Sequence, residues 1–134
     1  MEIDTLVTPV VLRVEASETL AAAARRMWAH DVEALPVFDG DQLVGIITER
    51  DLVAAVAMHA SPGAAVATRM SPRPATASLG EEPSSVAMRM LDLGVRHLPV
   101  IDGDHVAGIL SAGDLLPLVA WPTCAHGEPA AEPV

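Results

Sequence analysis

Leu35-Pro36-Val37-Phe38-Asp39-Gly40-Asp41-Gln42-Leu43-Val44-Gly45-Ile46-Ile47-Thr48-Glu49-Arg50-Asp51-Leu52 returns 63 positions later, without a gap. The second copy reads Leu98-Pro99-Val100-Ile101-Asp102-Gly103-Asp104-His105-Val106-Ala107-Gly108-Ile109-Leu110-Ser111-Ala112-Gly113-Asp114-Leu115. The skeleton held in both is Leu-Pro-Val-x-Asp-Gly-Asp-x-x-x-Gly-Ile-x-(Ser/Thr)-x-x-Asp-Leu. Thr8-Pro9 and Ser71-Pro72 keep the same spacing, so the match reaches back to the start of each unit. An internal repeat decides the architecture before any local reading does. This chain is one unit used twice.

Working outward from the repeated stretch, Leu35 to Phe38 and Leu43 to Thr48 are rich in Val, Ile and Leu and read as strands. Asp39-Gly40 between them is a hairpin signal, because both residue types tolerate positive φ. Pro36 has no N–H to give a ladder and belongs at a strand start or edge. A helix is expected from Glu49 to about Met58, broken by Ser61-Pro62-Gly63. Upstream, Val10 to Val14 reads as a short first strand and Ser17 as an N-cap with Glu18 in the first turn. Leu20, Ala23, Ala24, Met27 and Trp28 fall at helical spacing, giving a helix over about 18–30. The second copy repeats the order: Pro74 to Ala77, a helix over 81–93 opened by Glu81-Glu82-Pro83, a hairpin, and a helix from Ala112. Val86, Met90 and Leu93 form the apolar stripe of its first helix. The spacing therefore predicts two β-α-β-β-α units, over 6–60 and 70–120, joined by a linker over 61–69. A disordered tail is expected over 121–134.

Each copy is about 60 residues, a size at which a lone core is marginal, so the copies are expected to bury their apolar faces together. Eight basic against 18 acidic residues give a net charge of −10, which argues against nucleic acid, whose affinity rests on Lys and Arg. Trp28, Phe38 and Trp121 are too few for a base-stacking platform. The single Cys124 excludes an internal disulfide. No apolar run approaches the ~20 residues needed to span a bilayer, and the amino-terminal residues lack a signal-peptide pattern. The expectation is a soluble, cytoplasmic protein with no membrane partner.

The paired Leu-Pro-Val strands, Asp-Gly turns and Gly-x-x-(Ser/Thr)-x-x-Asp segments resemble a tandem pair of CBS (cystathionine β-synthase-type) domains, the arrangement called a Bateman module. The similarity covers roughly residues 6–119 and is closest to stand-alone members. It implies an α+β fold in which two β-α-β-β-α CBS repeats pack about a pseudo-two-fold axis. It also implies two clefts between the repeats and assembly into disc-like homodimers. AMP, ADP, ATP or S-adenosylmethionine is the implied ligand, and an unidentified regulated protein the implied listener.

The site residues follow from the same segments. Thr48-Glu49-Arg50-Asp51 and Ser111-Ala112-Gly113-Asp114 each lie where a strand gives way to a helix. Ser/Thr-x-x-acid at that position is close to a capping box, in which hydroxyl and carboxylate satisfy each other's backbone amides. The competing reading places a ribose on the carboxylate and a phosphate near the helix start. By the resemblance, Asp51 and Asp114 would hold ribose, and Thr48 and Ser111 would help hold phosphate. Arg50 stands beside Asp51, where Gly113 stands beside Asp114. Arg96-His97 precedes the second Leu-Pro-Val, where Glu33-Ala34 precedes the first. Basic residues at this second position face phosphate in the family, so Arg50, Arg96 and His97 join the site. The unequal copies predict two sites of unequal affinity. An adenine slot is expected along the first strands near Val11 and Thr76, with Pro72 and Pro74 a departure from the usual apolar strand.

Gly45 and Gly108 read as structural, marking a bulge or a close backbone approach. The Asp-Gly-Asp loops read as turns rather than cation loops, and Cys124 with His126 falls short of a metal site. No nucleophile elbow, phosphate loop or paired-carboxylate site is present, so no enzymatic activity, no metal and no obligatory cofactor is expected. The alternative to a sensor is a ligand-free dimerisation or docking scaffold.

Overall fold

The computed structural model describes residues 3–5, 8–9 and 12–116. Val10 and Val11 of the expected first strand, and the tail with Trp121 and Cys124, lie outside the described residues. The first half contains β1 (Thr8–Pro9), β2 (Val14–Glu15), α1 (Leu20–His30), β3 (Ala34–Asp39), β4 (Gln42–Thr48) and α2 (Glu49–Ala57). The second contains β5 (Ser71–Pro72), β6 (Ala77–Ser78), α3 (Pro83–Leu93), β7 (His97–Asp102), β8 (His105–Ser111) and α4 (Ala112–Leu115). The fold is α+β, built from two repeats, as the sequence led us to expect.

Each central hairpin forms where the Leu-Pro-Val and Gly-Ile runs predict. β3 pairs antiparallel with β4, Asp39 opposite Gln42, and β7 with β8, Asp102 opposite His105. Gly40 and Gly103 turn the chain at φ of 63° and 60°, a conformation that costs glycine least. Both hairpins carry the same one-residue bulge: Val44 is left between Gly45, opposite Val37, and Leu43, opposite Phe38, and Ala107 is its counterpart.

The expected single strand before each first helix is in fact two short strands in different sheets. β1 pairs with β8 of the second repeat, Pro9 opposite Gly108. β5 pairs with β4 of the first, Pro72 opposite Gly45. β2 and β6 then pair in parallel with β3 and β7 of their own repeats. The sheet orders are β1-β8-β7-β6 and β2-β3-β4-β5. Pro72 and Pro74 cannot sustain a ladder, and Arg73 between them sits at φ 47°, so the chain breaks its pairing and crosses from one sheet to the other. A methyl group on Gly45 would meet Met70 Sδ at 2.5 Å and the Ser71 carbonyl at 2.9 Å, so the exchanged strand itself requires glycine there.

The cores obey the repeat. One gathers Val14, Leu20, Ala23, Met27, Leu35, Val37, Ile47, Ala55 and Val66. The other gathers Ile3, Ala77, Val86, Met90, Leu98, Val100, Leu110 and Leu115. Val66 comes from the segment between the repeats, and Ile3 from the chain start, so each core is closed by residues outside its own hairpin and helices. Full burial of each Val, Leu or Ile contributes about 1.5–3 kcal/mol.

The structure moves several helix details. Thr19, not Ser17, caps α1, its hydroxyl accepting from the Ala22 amide at 3.1 Å. Glu18 is thereby freed for Arg26, whose Nη2 lies 2.5 Å from Glu18 Oε1 and whose Nη1 donates to the Arg13 carbonyl. The second repeat copies this clasp: Arg89 donates to Glu81 and to the Thr76 carbonyl. Each guanidinium ties the helix to the strand before it and holds its glutamate below the usual carboxylate range. Trp28, expected on the inner stripe, is 89% exposed, Ala24 is also exposed, and Leu93 faces solvent on α3. The buried arc is narrower than the apolar one.

Candidate functional site

β4 and β8 end at Thr48 and Ser111, and both residues keep extended backbone while α2 and α4 begin beyond them. The capping box is formed twice. Thr48 Oγ1 accepts from the Asp51 amide at 3.3 Å, and Asp51 Oδ2 accepts from the Thr48 amide at 2.8 Å and the Thr48 hydroxyl at 3.0 Å. The Ser111–Asp114 distances are 3.2, 3.1 and 2.8 Å. In each box the carboxylate uses only Oδ2, which leaves Oδ1 outside the cap. Capping and ligand binding are therefore compatible at these carboxylates, which the sequence posed as competing readings.

Each carboxylate lines a cleft between the repeats. The first cleft, of about 680 Å³, is walled by Leu12 and the 30–36 segment from repeat one, and by Arg96, His97, Ile109 and residues 111–114 from repeat two. The second, of about 1120 Å³, is walled by Ile46, Thr48–Asp51, Val53 and Ala54 from repeat one, and by Pro74, Ala75 and 94–98 from repeat two. Small-molecule sites commonly occupy about 300–1,000 Å³, so either cleft has room for a nucleoside-sized ligand. Leu12 and Ala75 are 63 apart and occupy equivalent walls, giving each cleft an apolar flank beside its carboxylate.

The structure gathers Thr48, Arg50, Asp51, Arg96 and His97 around the second cleft, and Ser111 and Asp114 with Arg96 and His97 around the first. Thr76 lines neither. Its carbonyl is engaged by Arg89, and Pro74 and Ala75 take the place along the second cleft that the sequence assigned to it. Val11 lies outside the described residues. Sequence reading left Glu33 out of the site as a mere counterpart of Arg96; in the fold Glu33, Arg96 and His97 line both clefts. The pseudo-symmetric spacing was the available signal, because it places residues 33 and 96 at equivalent positions on facing repeats.

His97 Nε2 lies 3.6 Å from Glu33 Oε2, with the imidazole 15% exposed and the carboxylate 69% exposed. Burial dominates and pushes the imidazole below its usual range, aided by Arg96; Glu33 and Asp114 oppose this without reversing it. Near neutral pH the contact therefore joins a neutral imidazole to a carboxylate. Since the unfolded histidine titrates near about 6.5 and the folded one lower, the unfolded chain binds this proton first. Stability is expected to be level above that pH and to fall as pH drops through the folded value. Glu18 and Glu81 add their own loss only below about 4.3, where their depressed carboxylates begin to protonate. Urea midpoints between pH 7 and 5 check the first step; His97→Gln should flatten it, and an unchanged slope in that variant would refute the assignment.

Among the described residues no helix is long and apolar enough to cross a membrane, and no three His, Cys, Asp or Glu side chains gather as a metal site.

A family model for the CBS domain matches this chain twice, over residues 3–58 and 65–120. Hypoxic response protein 1 of Mycobacterium tuberculosis is 35% identical over 105 residues, covering 73% of this chain and 71% of that protein. The CBS domain pair of protein MJ0100, solved with 5′-methylthioadenosine and S-adenosyl-L-methionine, superposes with a TM-score of 0.80 at 25% identity, over 88% of this chain and 98% of that one. CBSX2 in complex with AMP superposes with a TM-score of 0.72 at 26% identity, over 87% and 93%.

Proposed function

The chain belongs to the CBS domain family, and we propose that within it this protein is a non-enzymatic, cytoplasmic sensor binding an adenosine ligand in the clefts between its two repeats. The observation that carries the reading is the doubled capping box, each set in an inter-repeat cleft with one carboxylate oxygen outside the cap. A ribose diol suits that oxygen, since a charge-assisted hydrogen bond contributes on the order of 1.5–3 kcal/mol net. Leu12 or Ala75 supplies an apolar flank for a base. The MJ0100 pair and CBSX2, which take adenosine compounds on the same fold, support the choice among AMP, ADP, ATP and S-adenosylmethionine. Each cleft draws walls from both repeats, so a bound ligand favours whichever arrangement of the repeats it fits better. A partner protein reads that arrangement.

Homodimerisation belongs to the same reading. Trp28 and Leu91 are equivalent positions on α1 and α3, and Val53 and Leu116 are equivalent positions at α2 and after α4; all four are exposed. An apolar patch presented twice about a pseudo-two-fold axis suits a second copy of this chain. This surface also favours the second reading, a scaffold that dimerises without ligand. A thermal-unfolding screen with AMP, ADP, ATP and S-adenosylmethionine tests the choice. A raised unfolding temperature with one of them, diminished in Asp51→Ala or Asp114→Ala, is the expected result. A dimeric mass with no thermal response to any of the four would transfer the conclusion to the scaffold.

A further inference from the structure

The two clefts are equivalent by the repeat but unequal in charge, the first lined by three carboxylates and one arginine, the second by three carboxylates and two arginines. Along the strand entry the first cleft has Asp31, Glu33 and Ala34 where the second has Gly94, Arg96 and His97. At the helix start the first has Ala112, Gly113 and Asp114 where the second has Glu49, Arg50 and Asp51. Glu33, Arg96 and His97 reach both clefts, so they do not distinguish them. What is not shared does. The first cleft adds Asp31 and Asp114 with no arginine of its own, whereas the second adds Glu49 and Asp51 together with Arg50, one arginine more for the same number of carboxylates. A phosphate held near the ribose carboxylate meets a guanidinium in the second cleft. In the first, Gly113 offers no such guanidinium, and the repulsion between the phosphate and the cleft carboxylates is less compensated.

We propose that the clefts are sorted by charge: the Thr48/Asp51 cleft takes a phosphate-bearing adenosine ligand, and the Ser111/Asp114 cleft takes one without phosphate, an adenosyl thioether or sulfonium. This rests on reading both clefts as adenosine sites and assigns each its own ligand class. Arg50 is the specificity-determining residue, and its absence at Gly113 is the other half of the device. Nothing steric maintains that absence. A Cβ at Gly113 would meet only Ser111 Oγ, at 3.7 Å, an ordinary contact.

The test is calorimetric titration of the full chain with AMP and with 5′-methylthioadenosine. The wild type is expected to bind one AMP tightly and one 5′-methylthioadenosine at a separate site. Arg50→Gln, which leaves the capping box intact, should weaken AMP by about tenfold or more and leave 5′-methylthioadenosine unchanged. Gly113→Arg should add a second AMP site. Two AMP sites of equal affinity in the wild type, or equal weakening of both ligands by Arg50→Gln, would overturn the sorting while leaving the adenosine reading intact. Silence of the wild type to both ligands would overturn the sorting, and silence to ADP, ATP and S-adenosylmethionine as well would overturn the adenosine reading with it.

Discussion

Leu98→Ala is expected to lower the unfolding free energy by about 2–5 kcal/mol while leaving a single urea transition. Leu98 is 1% exposed, and its equivalent Leu35 is also 1% exposed, so Leu35→Ala should cost a similar amount. Against a typical total of about 5–15 kcal/mol, either loss is a large fraction of the stability. The single transition follows from the exchanged strands. β1 belongs to the sheet of the second repeat and β5 to that of the first, Ile3 closes one core and Val66 the other. Neither repeat can lose its core and leave its neighbour's sheet whole. Two resolved transitions, one at the wild-type midpoint, would show that the repeats fold independently.

A ligand held in the clefts should stabilise the chain by a comparable amount. At a hundred times its dissociation constant, a ligand specific for the folded state adds about 2.7 kcal/mol. For 134 residues this corresponds to a rise of roughly ten degrees in the unfolding temperature. Asp51→Ala and Asp114→Ala each remove the carboxylate half of a capping box as well as the proposed ribose contact, so each should lower the unfolding free energy of the unliganded chain by about 0.5–2 kcal/mol. The informative quantity is the increment on adding ligand, measured within each variant. An increment preserved in both variants would separate the binding site from these carboxylates.

The sequence exposes its repeat because identical local chemistry sits at fixed spacing: the Asp-Gly turn and the glycine opposite a crossing strand each have one physical use. The hairpins and the helix starts were legible for that reason. Pro36 and Pro99, expected at a strand start or edge, instead stand third in the inner strands β3 and β7, just before the parallel pairing begins at Val37 and Val100. The strand exchange was not. Thr8-Pro9 and Ser71-Pro72 carry no side-chain pattern that names their partners, and pairing with a distant strand is decided by packing of the whole molecule. Trp28 and Leu93 misled because helical spacing identifies an apolar arc without saying how much of it the neighbouring sheet covers. In the site, spacing alone left the capping box and the ribose contact as rivals. Only the folded structure shows that one carboxylate oxygen serves the cap while the other stays outside it. It also brings Glu33, Arg96 and His97 to the boundary of both clefts, a juxtaposition that depends on two segments 63 residues apart folding face to face.

The claim on which the functional account turns is that an adenosine ligand occupies the inter-repeat clefts, and amide chemical-shift mapping on adding AMP tests it most directly. The account predicts that the largest changes fall at Thr48–Asp51 or at Ser111–Asp114, together with Arg96 and His97 across the cleft. Changes confined to the exposed helix faces around Trp28 and Leu91, or none with AMP, ADP, ATP or S-adenosylmethionine at millimolar concentration, would contradict it.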